Sequence, residues 1–243
     1  MILYFSATGN GKYISEQIAE RTNETCMSIV DCIREDKYSF YDEEILGIVV
    51  PTYFWRLPRI VAEYLDKLRI ENCGYTFFLA SYGTTTGKAG SMAMEIMACH
   101  GQKFDAYYSV IMPDTWTPVF DLTDKKRVDK WLNEGKKQLE LVIDNIMSKR
   151  KGDFIERKIP SWVAAIPATY MYKTERKTKN LSVNKDICIG CGICAKKCPV
   201  WAIQIEKGYP VWKSEECEMC LGCLHRCPKF AISYGNGKTN RHG

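Results

Sequence analysis

The chain of 243 residues is 46% apolar and carries 34 Lys+Arg against 29 Asp+Glu, which leaves room for one large soluble domain or for a medium and a small one. No apolar run approaches the roughly 20 residues that cross a bilayer, and residues 1–5 are too few for the apolar core of a secretion signal. The positive balance does not imply nucleic acid: residues 1–148 hold 16 basic and 21 acidic side chains, 149–180 hold 9 and 3, and 181–243 hold 9 and 5, so the excess sits mostly in a linker. Twelve cysteines without an export signal fit a reducing cytoplasm and metal ligation rather than disulfides.

Residues 2–5 are a short buried-strand signal, and Ser6-Ala7-Thr8-Gly9-Asn10-Gly11 leads from it into helical apolar spacing. A strand, a turn of small and hydroxyl residues and then a helix N-terminus make an anion site, because free backbone N–H groups and the helix dipole point at one spot. Ser6, Thr8 and Asn10 add side-chain donors. No lysine is placed as in a Walker loop, so a nucleoside triphosphate with Mg²⁺ fits poorly.

Further strands are predicted over 27–30, 45–50, 76–80 and 107–112, with helices over 59–68, from the end of the 81–90 loop to about 100, and over 124–149. Alternating strands and helices give a doubly wound, five-stranded parallel sheet. Ligands of such sheets bind off the carboxyl ends of the strands. Pro51-Thr52-Tyr53-Phe54-Trp55 leaves one such end and Ser81-Tyr82-Gly83 another. Tyr53, Phe54 and Trp55 either stack on a flat ring or cover the domain's own core. Residues 83–90 imitate a Walker motif, but the glycine spacing is one residue short and no Ser or Thr follows Lys88. Residues 112–118, with Trp116, close the last strand as a packed turn, or else shield the site or receive a second domain.

Residues 149–180 read as a linker whose apolar stretch, 162–172, docks two domains together. From Cys188 the chain repeats C-x2-C-x2-C-x3-C-P, with each cysteine recurring 29 positions later. This is the spacing for two [4Fe–4S] clusters, in which three close thiolates hold one cluster and the fourth crosses to the other. Cys188, Cys191, Cys194 and Cys227 then form one set, and Cys217, Cys220, Cys223 and Cys198 the second. Zinc sites prefer two separated C-x2-C pairs. The remaining cysteines, Cys26, Cys32, Cys73 and Cys99, read as small apolar residues, Met92, Met94 and Met97 as core, and His225 as a solvent-facing helix residue. No residue is assigned a catalytic role. Residues 235–243 are expected to be a disordered tail.

Residues 181–234 resemble the bacterial two-cluster ferredoxins, a small α+β fold, through their paired cysteine motif. Residues 1–148 resemble the flavodoxins through Phe5-Ser6-Ala7-Thr8-Gly9-Asn10, Pro51-Thr52-Tyr53-Phe54-Trp55 and Ser81-Tyr82-Gly83. That resemblance implies FMN, with its phosphate at Ser6, Thr8, Gly9, Asn10 and Gly11. It also implies an isoalloxazine ring beside Pro51, Thr52 and the aromatic trio, edged by Ser81, Tyr82 and Gly83. Gly11 departs from the pattern, since many flavodoxins carry Ser or Thr there. The whole chain resembles the flavodoxin–ferredoxin fusion proteins of anaerobic microbes. The resemblance implies electron transfer between FMN and two [4Fe–4S] clusters, with other redox proteins as partners. The alternative is a flavin-dependent reductase of a small molecule, fed by its own clusters.

Overall fold

A computed structural model of the chain describes residues 1–157 and 169–235. Six strands, β1 (Ile2–Tyr4), β2 (Cys26–Ser28), β4 (Ile45–Pro51), β6 (Tyr75–Tyr82), β7 (Ala106–Ile111) and β8 (Gly152–Phe154), form one sheet in the order β2-β1-β4-β6-β7-β8. Every neighbouring pair in it is parallel. A separate two-stranded piece pairs β3 (Ser39–Tyr41) with β5 (Arg69–Glu71).

The central strands read as unbroken apolar runs because both their faces are covered: all eight residues of β6 are buried. Helices α1 (Asn10–Thr22) and α5 (Lys125–Met147) cover one face, where Ile14, Ile18, Leu139 and Ile143 pack on Ile2, Val49, Phe77 and Tyr108. On the other face α2 (Ile29–Arg34), α3 (Arg59–Lys67) and α4 (Ala89–Cys99) bring Ile29, Val61, Leu65 and Met97 against Leu3, Phe5, Ile48 and Phe78. Met92 and Met94 join that core as expected. The layered architecture is the doubly wound one anticipated from the alternation of elements.

The differences are local. The second strand ends at Ser28, because the Ser28 hydroxyl accepts from the Val30 N–H at 3.2 Å and caps α2; Ile29 and Val30 are therefore helical. The sheet also gains β8 from the stretch expected to be linker. Its Phe154 stacks on Tyr108 with ring centroids 5.3 Å apart. A three-residue strand opening on glycine leaves no periodicity to read.

The cysteine-rich region is small. A helical segment over 169–175 (α6) leads to β9 (Leu181–Val183), α7 (Ile193–Lys196), the hairpin β10 (Ile203–Glu206) and β11 (Tyr209–Trp212), α8 (Gly222–His225) and β12 (Ile232–Tyr234). Strand β12 pairs antiparallel with β9. Phe54 and Trp116 of the first domain pack into its core beside Met219, Leu221 and Tyr234. Of the apolar stretch 162–172, residues 162–168 lie outside the described residues, as do 236–243 of the tail. The described end of the stretch is held to the first domain: Arg56 donates to Thr169 Oγ1 at 2.7 Å, and the Arg59 N–H reaches the Tyr172 hydroxyl at 2.7 Å. No helix among the described residues is long and apolar enough to cross a membrane.

Candidate functional site

A cavity of about 350 Å³ opens off the carboxyl ends of β1, β4, β6 and β7. Ser6, Thr8, Asn10 and Gly11 line it from the first loop, Pro51, Thr52, Tyr53, Phe54 and Trp55 from the second, and Ser81, Tyr82 and Gly83 from the third. Gly9 alone of the residues expected there stands outside the wall. It is exposed, its φ of +115° is open to glycine, and its N–H donates to Ser6 Oγ at 3.2 Å. The first ladder bond of α1 runs from the Tyr13 N–H to the Gly9 carbonyl, so the N–H groups of Asn10, Gly11 and Lys12 precede the ladder. The first turn of α1 contains no acidic side chain. A Cβ on Gly11 would lie 2.8 Å from the Phe5 carbonyl oxygen, which accounts for glycine where a hydroxyl residue was expected.

Two side chains expected to face an anion are tied elsewhere. The Asn10 amide donates to the Pro113 carbonyl at 2.9 Å, and Thr8 Oγ1 lies 3.2 Å from Thr115 Oγ1. The loop after β7, Asp114-Thr115-Trp116, is thus the fourth wall of the cavity. Burial pushes the Asp114 carboxyl above the usual carboxylate range, against the pull of the Trp116 N–H. Thr52 Oγ1 is buried in the wall without a hydrogen-bond partner among the described residues. Backbone donors at a helix start, an orphaned hydroxyl and a mostly apolar lining suit a flat heteroaromatic group with a phosphate on one end.

The aromatic trio divides its work. Tyr53 packs edge-on to Phe5, with centroids 6.1 Å apart, and covers the domain's own core. Phe54 meets Trp116 at 5.0 Å and Tyr172 at 6.3 Å, and so joins the second domain. The Trp55 carbonyl accepts from the Lys88 N–H at 2.7 Å. All three residues also line the cavity.

Two smaller cavities lie in the cysteine-rich domain. Cys198, Cys217, Cys220 and Cys223 line one, and Cys188, Cys191, Cys194 and Cys227 the other, the same two sets that the crossing spacing gives. Among the described residues no three Cys, His, Asp or Glu side chains converge on a point that would hold a single ion. Thiolates at the corners of an iron–sulfur cluster stand further apart than ligands of one ion. Backbone N–H groups donate to sulfur at matched places: Ala202 to Cys198 at 3.3 Å and Ala231 to Cys227 at 3.2 Å. Such bonds are among the factors that set a cluster's potential. Burial pushes the Cys217 thiol up to about 11 and Cys220 up to about 12, so ligation there must drive off the protons.

Cys220, with Met219 and Leu221, lines the cavity at the strand ends as well as its own. One member of a cysteine set therefore forms part of the wall made by the β1, β4, β6 and β7 loops. Four contacts hold it there. Glu218, 1% exposed, accepts from the N–H groups of Arg59 at 3.0 Å and Ile60 at 3.2 Å, which caps α3 from the other domain; Pro58 offers no side-chain cap. Burial raises the Glu218 carboxyl, while the Arg176 guanidinium and the two N–H groups oppose the shift. Gly222 lies against the Ala7 carbonyl, where an added Cβ would sit at 3.3 Å. His225 Nε2 donates to the Thr115 carbonyl at 2.9 Å, so this residue docks rather than facing solvent, and Arg226 Nη2 reaches the Ser6 carbonyl at 3.4 Å. Glu218 left no trace in the sequence, because a glutamate between two ligands looks like a solvated spacer. Asp114 and Thr115 were legible only as one more loop at the carboxyl ends.

Residues 1–141 match the flavodoxin domain family, and residues 180–228 match the 4Fe-4S dicluster domain. An uncharacterized ferredoxin of Methanocaldococcus jannaschii is 39% identical over 62 residues, 24% of this chain and 34% of that protein. A ferredoxin of Pyrobaculum islandicum is 33% identical over 66 residues, 26% of this chain and 60% of that one; the chain thus spans less than two thirds of either relative. Among solved structures, the Trp repressor binding protein of Bacillus subtilis is 13% identical with a TM-score of 0.36, covering 57% of this chain and 96% of that one. The chain belongs to the flavodoxin domain family and carries, fused behind that domain, a two-cluster ferredoxin domain of the bacterial 4Fe-4S type.

Proposed function

We propose that the chain is an electron carrier that holds FMN in the cavity at the strand ends and a [4Fe–4S] cluster in each cysteine set, and that it serves other redox proteins of the cytoplasm. Bound FMN would supply a centre that takes electrons in pairs or singly, and the clusters centres that take one at a time. On this reading the start of α1 with Ser6 and Gly11 holds the phosphate, and Thr52, Ser81, Tyr82 and Gly83 edge the ring. Cys188, Cys191, Cys194 and Cys227 ligate one cluster, and Cys198, Cys217, Cys220 and Cys223 the other.

The observation that carries the reading is the double placement of Cys220, in the wall of the cavity at the strand ends and in that of a cysteine set. Fusion and docking replace diffusional encounter with a fixed short separation. Phe54, Trp116, Met219 and Leu221 wall in the cavity beside the second domain, which favours a carrier over a reductase with a substrate above the ring. The test is an anaerobic cofactor assay of the purified chain followed by stepwise reduction. Iron, labile sulfide and FMN should be found together, and the flavin absorbance should bleach once the clusters are reduced. NADPH alone should not bleach it quickly. Flavin without iron, or clusters whose reduction never reaches the flavin, would reject the proposal.

A further inference from the structure

The two halves of the cysteine repeat place different residues at matching positions. Adding 29 to Ile189, Ile193, Lys196 and Lys197 gives Glu218, Gly222, His225 and Arg226. The later four are the residues that dock the second half onto the flavodoxin domain. Their earlier counterparts touch nothing of the kind. Ile189 is 59% exposed and Ile193 37%, and both line the cavity of their own cysteine set together with Ile205, itself 39% exposed. Lys196 and Lys197 are exposed and make no ion pair among the described residues. The β10–β11 turn lies alongside, since a Cβ on Gly190 would be 2.9 Å from the Gly208 carbonyl. That turn adds Lys207, also exposed and without an ion pair among the described residues, whereas the nearby Glu206 is already bound to Lys213.

We infer that this outward face, around Cys188, Cys191 and Cys194, is the docking surface for an external redox protein with an acidic rim around an apolar centre. The inference rests on the carrier reading above. One half of the repeat meets its partner within the chain, and the other presents the same positions to water. There, three exposed isoleucines make an apolar centre and unpaired lysines a positive border, the usual pattern of an interface core with a charged rim. Among the described residues no carboxylate pairs with those lysines. Once a partner docks, the apolar centre excludes water beside the thiols, of which Cys191 is exposed in the free chain, and the lysines steer an acidic protein to it.

The test uses the full chain with its flavin and iron, prepared anaerobically, and two reduced probes of matched potential: an acidic [2Fe–2S] ferredoxin and a basic variant of it with its surface Asp and Glu side chains changed to Lys. Electron delivery from the acidic probe should be the faster, and it should slow about tenfold as salt rises from about 0.02 to about 0.3 M. The double substitution Lys196→Glu/Lys197→Glu should slow it about tenfold at low salt, and Lys207→Glu about threefold. Reduction by dithionite and the iron content should stay unchanged. If the double variant loses iron, Lys207→Glu, which lies outside the ligand loops, carries the test. Rates indifferent to salt and charge reversal, or an equally fast basic probe, would overturn the inference. So would salt-sensitive dimers in sedimentation that charge reversal dissolves, because the occupant would then be a second copy of this chain. Loss of the carrier reading itself appears separately, as a flavin that dithionite-reduced clusters fail to reach.

Discussion

Cys217–Cys227 is packed against the flavodoxin domain, with Glu218 and Leu224 at or below 1% exposure, while the matching Ile189 in Cys188–Cys198 is 59% exposed. The ligand spacing is the same in both halves, so the ligands do not determine which half faces inward. The residues between them do. A carboxylate that can cap a foreign helix, a glycine that admits a foreign carbonyl and two donors that reach foreign carbonyls make one half an internal contact. Isoleucines and lysines at the same places leave the other half available. A duplicated motif thus acquires direction without any change in its metal chemistry.

The sharpest way to break this comparison is to remove one thiol from each half. Cys220→Ser and Cys191→Ser should each cost about half the iron if the sets assemble independently. Their effects on electron transfer to the flavin should differ. Cluster-dependent bleaching of the flavin should fall at least about tenfold in Cys220→Ser, because that thiol belongs to the shared wall, and should largely survive in Cys191→Ser when a small reductant feeds the remaining set. Equal losses in stopped-flow would remove the distinction between an inner and an outer half.

Next in size is Glu218→Ala. It leaves the Ile60 N–H buried without a partner and takes a negative charge from the start of α3, together about 2 kcal/mol of interdomain docking. Small-angle scattering should show the domains further apart, and flavin bleaching should slow while the iron content holds. Glu218→Gln keeps one acceptor oxygen and should fall between the two. A variant with unchanged scattering and rate would mean that the cap is incidental.

Exchanging the repeat's own residues comes third. Gly222→Ile puts a branched side chain where even a Cβ would meet the Ala7 carbonyl at 3.3 Å, and should cost about 1–3 kcal/mol in docking through overpacking. Ile193→Gly, the reverse exchange, should leave cluster-to-flavin transfer unchanged and weaken only partner association. Similar effects from both exchanges would show that the halves are interchangeable.

Much of the fold was legible in the residues alone. The parallel sheet, its loops and the two cysteine sets follow from long apolar runs and a strict spacing, signals that tertiary contacts seldom override. Strand β8 was not, because Gly152–Phe154 is too short for a period and is held by pairing with Ala106–Tyr108, residues distant in sequence. The early end of the second strand turns on one hydroxyl cap at Ser28. The docking roles of Glu218 and His225 were invisible for a different reason. Each depends on a surface from the other domain, and nothing local in Cys-Glu-Met-Cys or Leu-His-Arg-Cys announces an acceptor or donor 100 or more residues away.

The smallest expected effect tests whether docking also shapes the cavity. His225 donates to the Thr115 carbonyl, and the Thr115 hydroxyl lies 3.2 Å from Thr8 in the first loop, so the second domain reaches the first-loop wall of the cavity through two contacts. His225→Leu removes the donor and should cost about 1 kcal/mol, about fivefold in FMN affinity, with the iron content unchanged. His225→Gln, whose amide can donate to the same carbonyl, should recover most of it. Lys196→Leu, at the matching position of the outward half, should leave FMN binding alone. Titration of flavin fluorescence against apoflavoprotein with intact clusters reads all three. Because a merely structural histidine would lower iron retention along with flavin, the split between the two cofactors decides whether this contact serves the cavity or only the fold.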